Sequence, residues 1–115
     1  MTLKLDINPI KTWLPKIDNP LLIAGPCSLE TEKQALDTAR LLVKDKRVFV
    51  YRGGVWKPRT RPGSFEGVGS IGLKWLQMVK QETGLPVGTE VANAQHTEEA
   101  LNAGLDVLWI GARST

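Results

Sequence analysis

Five cationic side chains occupy positions from which they could bind one anionic ligand. Each lies at or just after the end of a short apolar run: Arg52, Lys57, Arg59, Arg61 and Arg113. The chain of 115 residues has a net charge of +3, and removing these five from its 15 Lys and Arg residues leaves 10, fewer than the 12 acidic residues. The basic excess is therefore local, which favours an anion site over a broad nucleic-acid-binding surface.

The segment from Lys57 to Pro62 alternates cations with prolines. An Arg guanidinium can donate to two oxygens of a phosphate or carboxylate at once, whereas Lys supplies a compact charge that can also transfer a proton. Holding these cations together costs electrostatic energy, which an anionic ligand would offset. The pattern indicates a ligand with both phosphate and carboxylate, or two phosphorylated ligands. A solvated basic loop is the alternative.

Three further side chains have the chemistry of a ligand, nucleophile or base. Cys27, the only cysteine, follows an apolar run and can be a buried thiol, a nucleophile or a metal ligand. Glu90 ends another apolar run, where it can act as a base, orient a water or an arginine, or form a structural ion pair. His96, the only histidine, is expected to be a surface or helix-start residue rather than a metal ligand. The four tryptophans are expected in the core and at interfaces.

Alternating apolar runs and helical patterns predict the elements that must position these residues. Strands are predicted at residues 21–25, 48–52, 87–91 and 107–111. Helices are predicted at residues 31–44, 70–83 and 94–102, the first opened by a capping box of Thr31 and Gln34. The order β-α-β-α-β-α-β, with strands that are apolar on both faces, indicates an α/β fold with a parallel sheet covered by helices. Such a sheet can be open and doubly wound, or part of a barrel.

In both architectures functional side chains gather at the carboxyl ends of the strands. Cys27, Arg52, Glu90 and Arg113 end or follow the predicted strands in turn, so we expect them to converge on one rim. A short strand or plug is expected at residues 3–14. A complete (β/α)₈ barrel takes roughly 250 residues, so this chain could supply about half of one. The two bare edges of a half barrel would favour self-association.

Four motifs, in order along the chain, carry a resemblance to a known enzyme family. They are IAGPCS at residues 23–28, YRGGVWKPRTRP at 51–62, SFEGVG at 64–69 and WIGAR at 109–113. With them the chain resembles 3-deoxy-D-arabino-heptulosonate 7-phosphate (DAHP) synthase, in the subtype shared with 3-deoxy-D-manno-octulosonate 8-phosphate synthase. The details resemble the bacterial form that is often fused to chorismate mutase. The resemblance implies that residues 1–115 are the N-terminal part of a TIM-barrel synthase domain.

The resemblance also implies the reaction, which is an aldol-like condensation of phosphoenolpyruvate with erythrose 4-phosphate in the shikimate pathway of aromatic amino acid biosynthesis. Water adds at the enolpyruvate carbon and phosphate leaves. The roles implied for this chain are Lys57 as catalytic proton donor, Arg52 and Arg113 on phosphoenolpyruvate, Arg59 and Thr60 on the erythrose phosphate, Glu90 lining the site, and Cys27 as metal ligand.

A divalent metal (Mn, Fe, Co or Zn) is implied as the Lewis acid of the full-length enzyme. Its other ligands, a His, a Glu and an Asp, are implied to come from later strands, so the 115-residue chain alone is expected to bind metal weakly and to be inactive. The alternative is a non-catalytic, anion-binding half barrel that self-associates. Expected partners are the two substrates and further copies of the chain, with no nucleic acid and no membrane. Without an apolar signal segment, the expected location is the cytoplasm.

Overall fold

The computed structural model describes residues 22–56 and 67–111. These ranges contain the strands β1 (Leu22–Ala24), β2 (Val48–Arg52), β3 (Val87–Val91) and β4 (Val107–Ile110), and the helices α1 (Glu32–Leu42), α2 (Ser70–Thr83) and α3 (Ala94–Asn102). The strands form one parallel sheet in the order β1-β2-β3-β4. The predicted α/β order is confirmed, and it matches the first half of a TIM barrel. The strand or plug expected at residues 3–14 lies outside the described residues.

The start of α1 is set by the predicted capping residues. The Oγ1 atom of Thr31 accepts a hydrogen bond from the Gln34 N–H at 3.0 Å. The Gln34 Oε1 atom accepts from the Glu30 N–H at 2.7 Å, so the reciprocal bond reaches one residue further back than the usual capping box. The helix ends at Leu42, two residues earlier than expected, because the chain tightens into turns with a bond from the Asp45 N–H to the Leu42 carbonyl.

The core lies between the sheet and the helices. Leu76 and Val79 of α2 are fully buried, as are the β2 residue Tyr51 and the α1 residue Ala35. The Tyr51 hydroxyl donates to the Ala35 carbonyl at 3.0 Å, which ties β2 to α1 across the core. Since successive side chains of a strand point to opposite faces, the next residue along β2, Arg52, lies on the face away from the helices.

Helix α2 begins after Gly69 and ends at Gly84, whose φ of +76° is left-handed and whose N–H donates to the Lys80 carbonyl. On the surface, the Nε and Nη2 atoms of Arg40 in α1 donate to the two carboxylate oxygens of Glu82 in α2, at 2.8 Å each. Within the two described ranges, no helix is both long and apolar enough to cross a membrane.

Candidate functional site

Three of the predicted site residues fall within the described residues. Cys27, Arg52 and Glu90 lie at or just after the carboxyl ends of β1, β2 and β3. The parallel sheet brings these ends to one rim, as the sequence predicts. The other site residues, namely Lys57, Arg59, Thr60 and Arg113, lie outside the described residues, as does Arg61.

Arg52 is held in place at this rim by two neighbours. Its Nη2 atom donates to the backbone carbonyl of Cys27 at 3.3 Å, and its guanidinium carbon lies 5.0 Å from the centre of the Trp109 ring. Its Nε atom is buried and has no hydrogen-bond partner among the described residues. A guanidinium has five N–H donors, and a buried donor without an acceptor is costly, so an anion at this position would be stabilising.

The strand register explains how Arg52 reaches Trp109. Arg52 is paired with Gly88 in β3, and Trp109 is paired with Glu90 two residues further along the same strand. Paired residues of parallel strands share a face, so all of these residues face away from the helices. Arg52 and Trp109 therefore lie on the same face of the sheet, where the guanidinium reaches the ring.

Glu90 lies beside the end of β4. A Cβ atom at Gly111 would stand only 2.6 Å from the Glu90 Cδ atom, so the glycine makes room for the carboxylate. No ion pair joins Glu90 to another described residue. Within the described part of the chain, the structural ion pair considered from the sequence is therefore not what fixes this carboxylate.

The loop that carries Cys27 approaches β2 closely. Gly25 has a φ of +151°, and a Cβ atom there would overlap the Arg52 carbonyl oxygen. The Leu29 N–H donates to the Gly54 carbonyl at 2.9 Å, which joins the loops that follow β1 and β2. These contacts bring the backbone of Cys27 within reach of Arg52.

The Cys27 side chain is exposed, so its interpretation as a buried apolar thiol is wrong. It can supply one soft ligand to a metal. Among residues 22–56 and 67–111, however, no group of three His, Cys, Asp or Glu side chains is placed to hold a metal ion. The described residues therefore do not form a metal site by themselves.

Two aromatic contacts at this rim were not foreseen from the sequence. Trp56 and His96 stack with ring centres 4.0 Å apart and planes 3° from parallel, and Trp109 lies under Arg52. The alternation of β4 could have assigned Trp109 to one face of the sheet. Only the pairing of the strands, however, shows that Arg52 lies on the same face. His96 lies in the first turn of α3, as predicted.

The comparison with protein families shows which family the chain belongs to. The family model described as the DAHP synthetase I family matches residues 14–115. This chain belongs to the DAHP synthetase I family. The resemblance drawn from the four sequence motifs is confirmed.

Members of two enzyme groups are similar to this DAHP synthetase I chain. It is 39% identical to phospho-2-dehydro-3-deoxyheptonate aldolase of Thermotoga maritima, over 81% of this chain and 27% of that protein. It is 46% identical to 2-dehydro-3-deoxyphosphooctonate aldolase of Vesicomyosocius okutanii, over 65% of this chain and 30% of that protein.

The crystal structure of the Thermotoga maritima DAHP synthase supports the fold. It matches 79% of this chain with a TM-score of 0.70 and 37% sequence identity, and this chain covers 25% of it. The chain thus spans between a quarter and a third of the length of these relatives. Its four-stranded sheet corresponds to one part of a DAHP synthase barrel.

Proposed function

We propose that this chain forms part of a DAHP synthase, in which it binds phosphoenolpyruvate for condensation with erythrose 4-phosphate in the shikimate pathway. One observation carries the proposal. The Arg52 guanidinium is fixed by the Cys27 carbonyl and the Trp109 ring, and it keeps a buried Nε donor that is unpaired among the described residues. Phosphoenolpyruvate carries a phosphate and a carboxylate, and both suit an arginine held in this way.

The remaining proposed roles are those that the resemblance to DAHP synthase implies. Lys57, the residue after Trp56 in the sequence, is proposed as the proton donor, because an ammonium group can donate a proton to a reacting group within its reach. Arg113 is proposed to bind phosphoenolpyruvate with Arg52. The proposed roles of the other side chains are Arg59 and Thr60 on the erythrose phosphate, and Glu90 lining the site beside phosphoenolpyruvate.

A second activity is favoured by the similarity to the 2-dehydro-3-deoxyphosphooctonate aldolases. An eight-carbon acid made from phosphoenolpyruvate, which supplies three carbons, requires a five-carbon aldose phosphate in place of the four-carbon one. The first half of the reaction would use the same phosphoenolpyruvate site. The two activities therefore differ in the aldehyde, and an assay must offer both.

The decisive experiment uses the full-length protein that contains this chain. Phosphate release and sugar-acid formation are measured with phosphoenolpyruvate and either erythrose 4-phosphate or a five-carbon aldose phosphate. We expect turnover with the four-carbon substrate. We also expect that Arg52→Lys raises KM for phosphoenolpyruvate at least about 10-fold, because it keeps the charge but loses the guanidinium that can donate to two oxygens at once.

Arg47→Lys is the matched control for this substitution. Arg47 is an exposed arginine paired with Asp45 just before β2, at the opposite end of the strand from Arg52. The Arg47→Lys protein should keep the KM for phosphoenolpyruvate of the unmodified protein. Full activity in the Arg52→Lys protein, or no turnover with either aldehyde in the unmodified protein, contradicts the proposed function.

We further propose that Cys27 supplies one ligand to a divalent metal, Mn, Fe, Co or Zn, in the full-length protein, which would polarise the aldehyde. The test is the metal content of full-length Cys27→Ala protein, which should fall together with the affinity for added metal. The 115-residue chain by itself is predicted to make no product. A cytoplasmic location and assembly into a homo-oligomer are proposed for the full-length protein as well.

A further inference from the structure

The stack of Trp56 on His96 connects the end of the β2 loop to the first turn of α3. The two rings are close to parallel, 3° apart, with their centres separated by 4.0 Å. Both side chains are half-buried, and Trp56 also packs against the core. His96 lies 40 residues from Trp56 in the chain, so this contact depends on the fold.

The imidazole ring is held by the cap of its own helix. The Asn93 Oδ1 atom accepts from the His96 N–H at 2.8 Å, and the His96 Nδ1 atom accepts from the Ala92 N–H at 3.2 Å. With Nδ1 acting as an acceptor, the ring proton of neutral His96 is on Nε2. The first bond holds the backbone of His96 at the start of α3 and the second holds one ring nitrogen, so the imidazole is anchored where it stacks on Trp56.

The backbone leading to Trp56 is fixed as well. The Gly54 carbonyl accepts from the Leu29 N–H at 2.9 Å, and the Val55 carbonyl accepts from the Gly69 N–H at 2.8 Å. Val55 is fully buried. Trp56 is the next residue, and its side chain is placed by His96. The residue that follows is Lys57, the proposed proton donor.

We propose that His96 is a positioning residue, which stacks on Trp56 and thereby fixes the residue that immediately precedes Lys57 in the sequence. This inference rests on the proposed function. Proton transfer depends steeply on the placement of the donor, so misplacement lowers kcat more than it raises KM. A histidine that served only as a helix cap would affect stability without affecting the chemistry.

The chain itself contains the control that separates these two roles. In α1 the same position is occupied by Gln34, whose Oε1 atom accepts from the Glu30 N–H in the way that His96 Nδ1 accepts from the Ala92 N–H. His96→Gln therefore keeps a cap of a kind already present in this protein, and removes the ring. His96→Phe does the reverse, because it keeps a flat ring and loses the acceptor.

The first measurement is steady-state kinetics of both variants in the full-length protein. We expect His96→Gln to lower kcat about 10-fold, with KM for phosphoenolpyruvate changed less than about twofold and an unchanged melting temperature. We expect His96→Phe to keep kcat within about twofold of the unmodified protein while the melting temperature falls by a few degrees, because the Ala92 N–H loses its acceptor.

The second measurement does not depend on activity. Trypsin cuts poorly before proline, so Lys57-Pro58 and Arg61-Pro62 resist it and Arg59-Thr60 is the cleavable bond between Trp56 and Gly67. The rate of cleavage there reports how firmly the chain is held beyond Trp56. We expect it to rise several-fold in His96→Gln and to stay unchanged in His96→Phe.

Several results overturn the inference. They are a normal kcat in His96→Gln, a loss in His96→Phe as large as in His96→Gln, or equal cleavage of the two variants. Failure of the proposed function is distinguishable, because it appears as no turnover in the unmodified protein. In that case the trypsin comparison still decides whether the stack holds this part of the chain.

Discussion

The guanidinium of Arg52 lies over the ring of Trp109, 5.0 Å from its centre, although the two residues belong to strands that are not neighbours in the sheet. The two side chains lie on the same face of the sheet, on either side of β3. An aromatic face attracts a cation without using any of its N–H donors. Trp109 therefore restricts the position of Arg52 and leaves donors available for a ligand.

Replacing Trp109 should weaken the binding of phosphoenolpyruvate. Trp109→Leu removes the aromatic face, and we expect KM for phosphoenolpyruvate to rise about 2- to 30-fold, in line with the usual strength of a cation–π contact. Trp109→Phe keeps a weaker aromatic face and should have a smaller effect. Initial rates at varied phosphoenolpyruvate concentration test this. An unchanged KM in Trp109→Leu would show that Arg52 does not need the ring.

A side chain at Gly25 should separate β1 from β2 at the rim. Gly25→Ala places a methyl group against the Arg52 carbonyl oxygen, in a backbone conformation that alanine rarely adopts, so both strands must shift. We expect a loss of folding stability larger than the 1–2 kcal/mol usual for a left-handed alanine, of order 3 kcal/mol. Denaturant unfolding measures it.

Gly84→Ala is the control for the backbone effect alone. Gly84 also has a positive φ, of +76°, but a Cβ atom there would meet nothing within 4 Å. This variant should lose only about 1–2 kcal/mol. Equal losses at the two positions would contradict the close approach of the strands at Gly25.

Tyr51 should make the protein less stable at high pH. Burial raises the pKa of Tyr51 to about 12, so the folded protein keeps the phenolic proton at a pH where the unfolded chain has released it. Its contribution to stability is complete below the unfolded pKa of about 10 and is lost as the pH rises from there toward 12.

The measurement compares unfolding of the unmodified protein and Tyr51→Phe between pH 9 and about 12. The stability difference between them should shrink as the pH rises. Tyr51 is the only tyrosine of this chain, so ultraviolet titration of the phenolate reports it directly. A phenolate midpoint near 10 in the folded chain would contradict the buried state of Tyr51.

The core beneath the sheet should depend strongly on Leu76. Its side chain is fully buried between α2 and the sheet, and Leu76→Ala is expected to cost about 2–5 kcal/mol because it leaves a cavity. Ile71, on the same helix, is 53% exposed and provides the control. Ile71→Ala should lower the free energy of unfolding much less. Chemical denaturation measures both variants, and an equal loss would contradict the different burial of the two side chains.

The order and limits of the elements could be predicted from the sequence because local signals mark them. Helices α2 and α3 and strands β2 and β3 have the predicted bounds. Gly84 stops α2, and Asn93 caps α3 through its side chain. These signals act over a few residues, so they can be recognised without knowing the fold.

The details of the site could be predicted less well, since they depend on pairings between distant parts of the chain. The sequence indicates that Cys27, Arg52 and Glu90 share a rim. It does not indicate that Arg52 binds the Cys27 carbonyl, or that His96 meets Trp56. The apolar residues of α2 likewise do not all face the core, since Ile71 is exposed while Leu73 is buried. Spacing gives the face of a helix only approximately, and packing decides its edges.

The strands lie side by side in the order in which they occur in the sequence, and each hydrogen-bonds to the strand before it. A sheet of this kind requires no later segment to be inserted between strands that are already paired. It can therefore grow by one strand and one helix at a time as the polypeptide emerges from the ribosome. Each new strand pairs with the edge strand that was formed just before it. Arg52 and the backbone of Cys27 would then be in contact before β3 and β4 had left the ribosome.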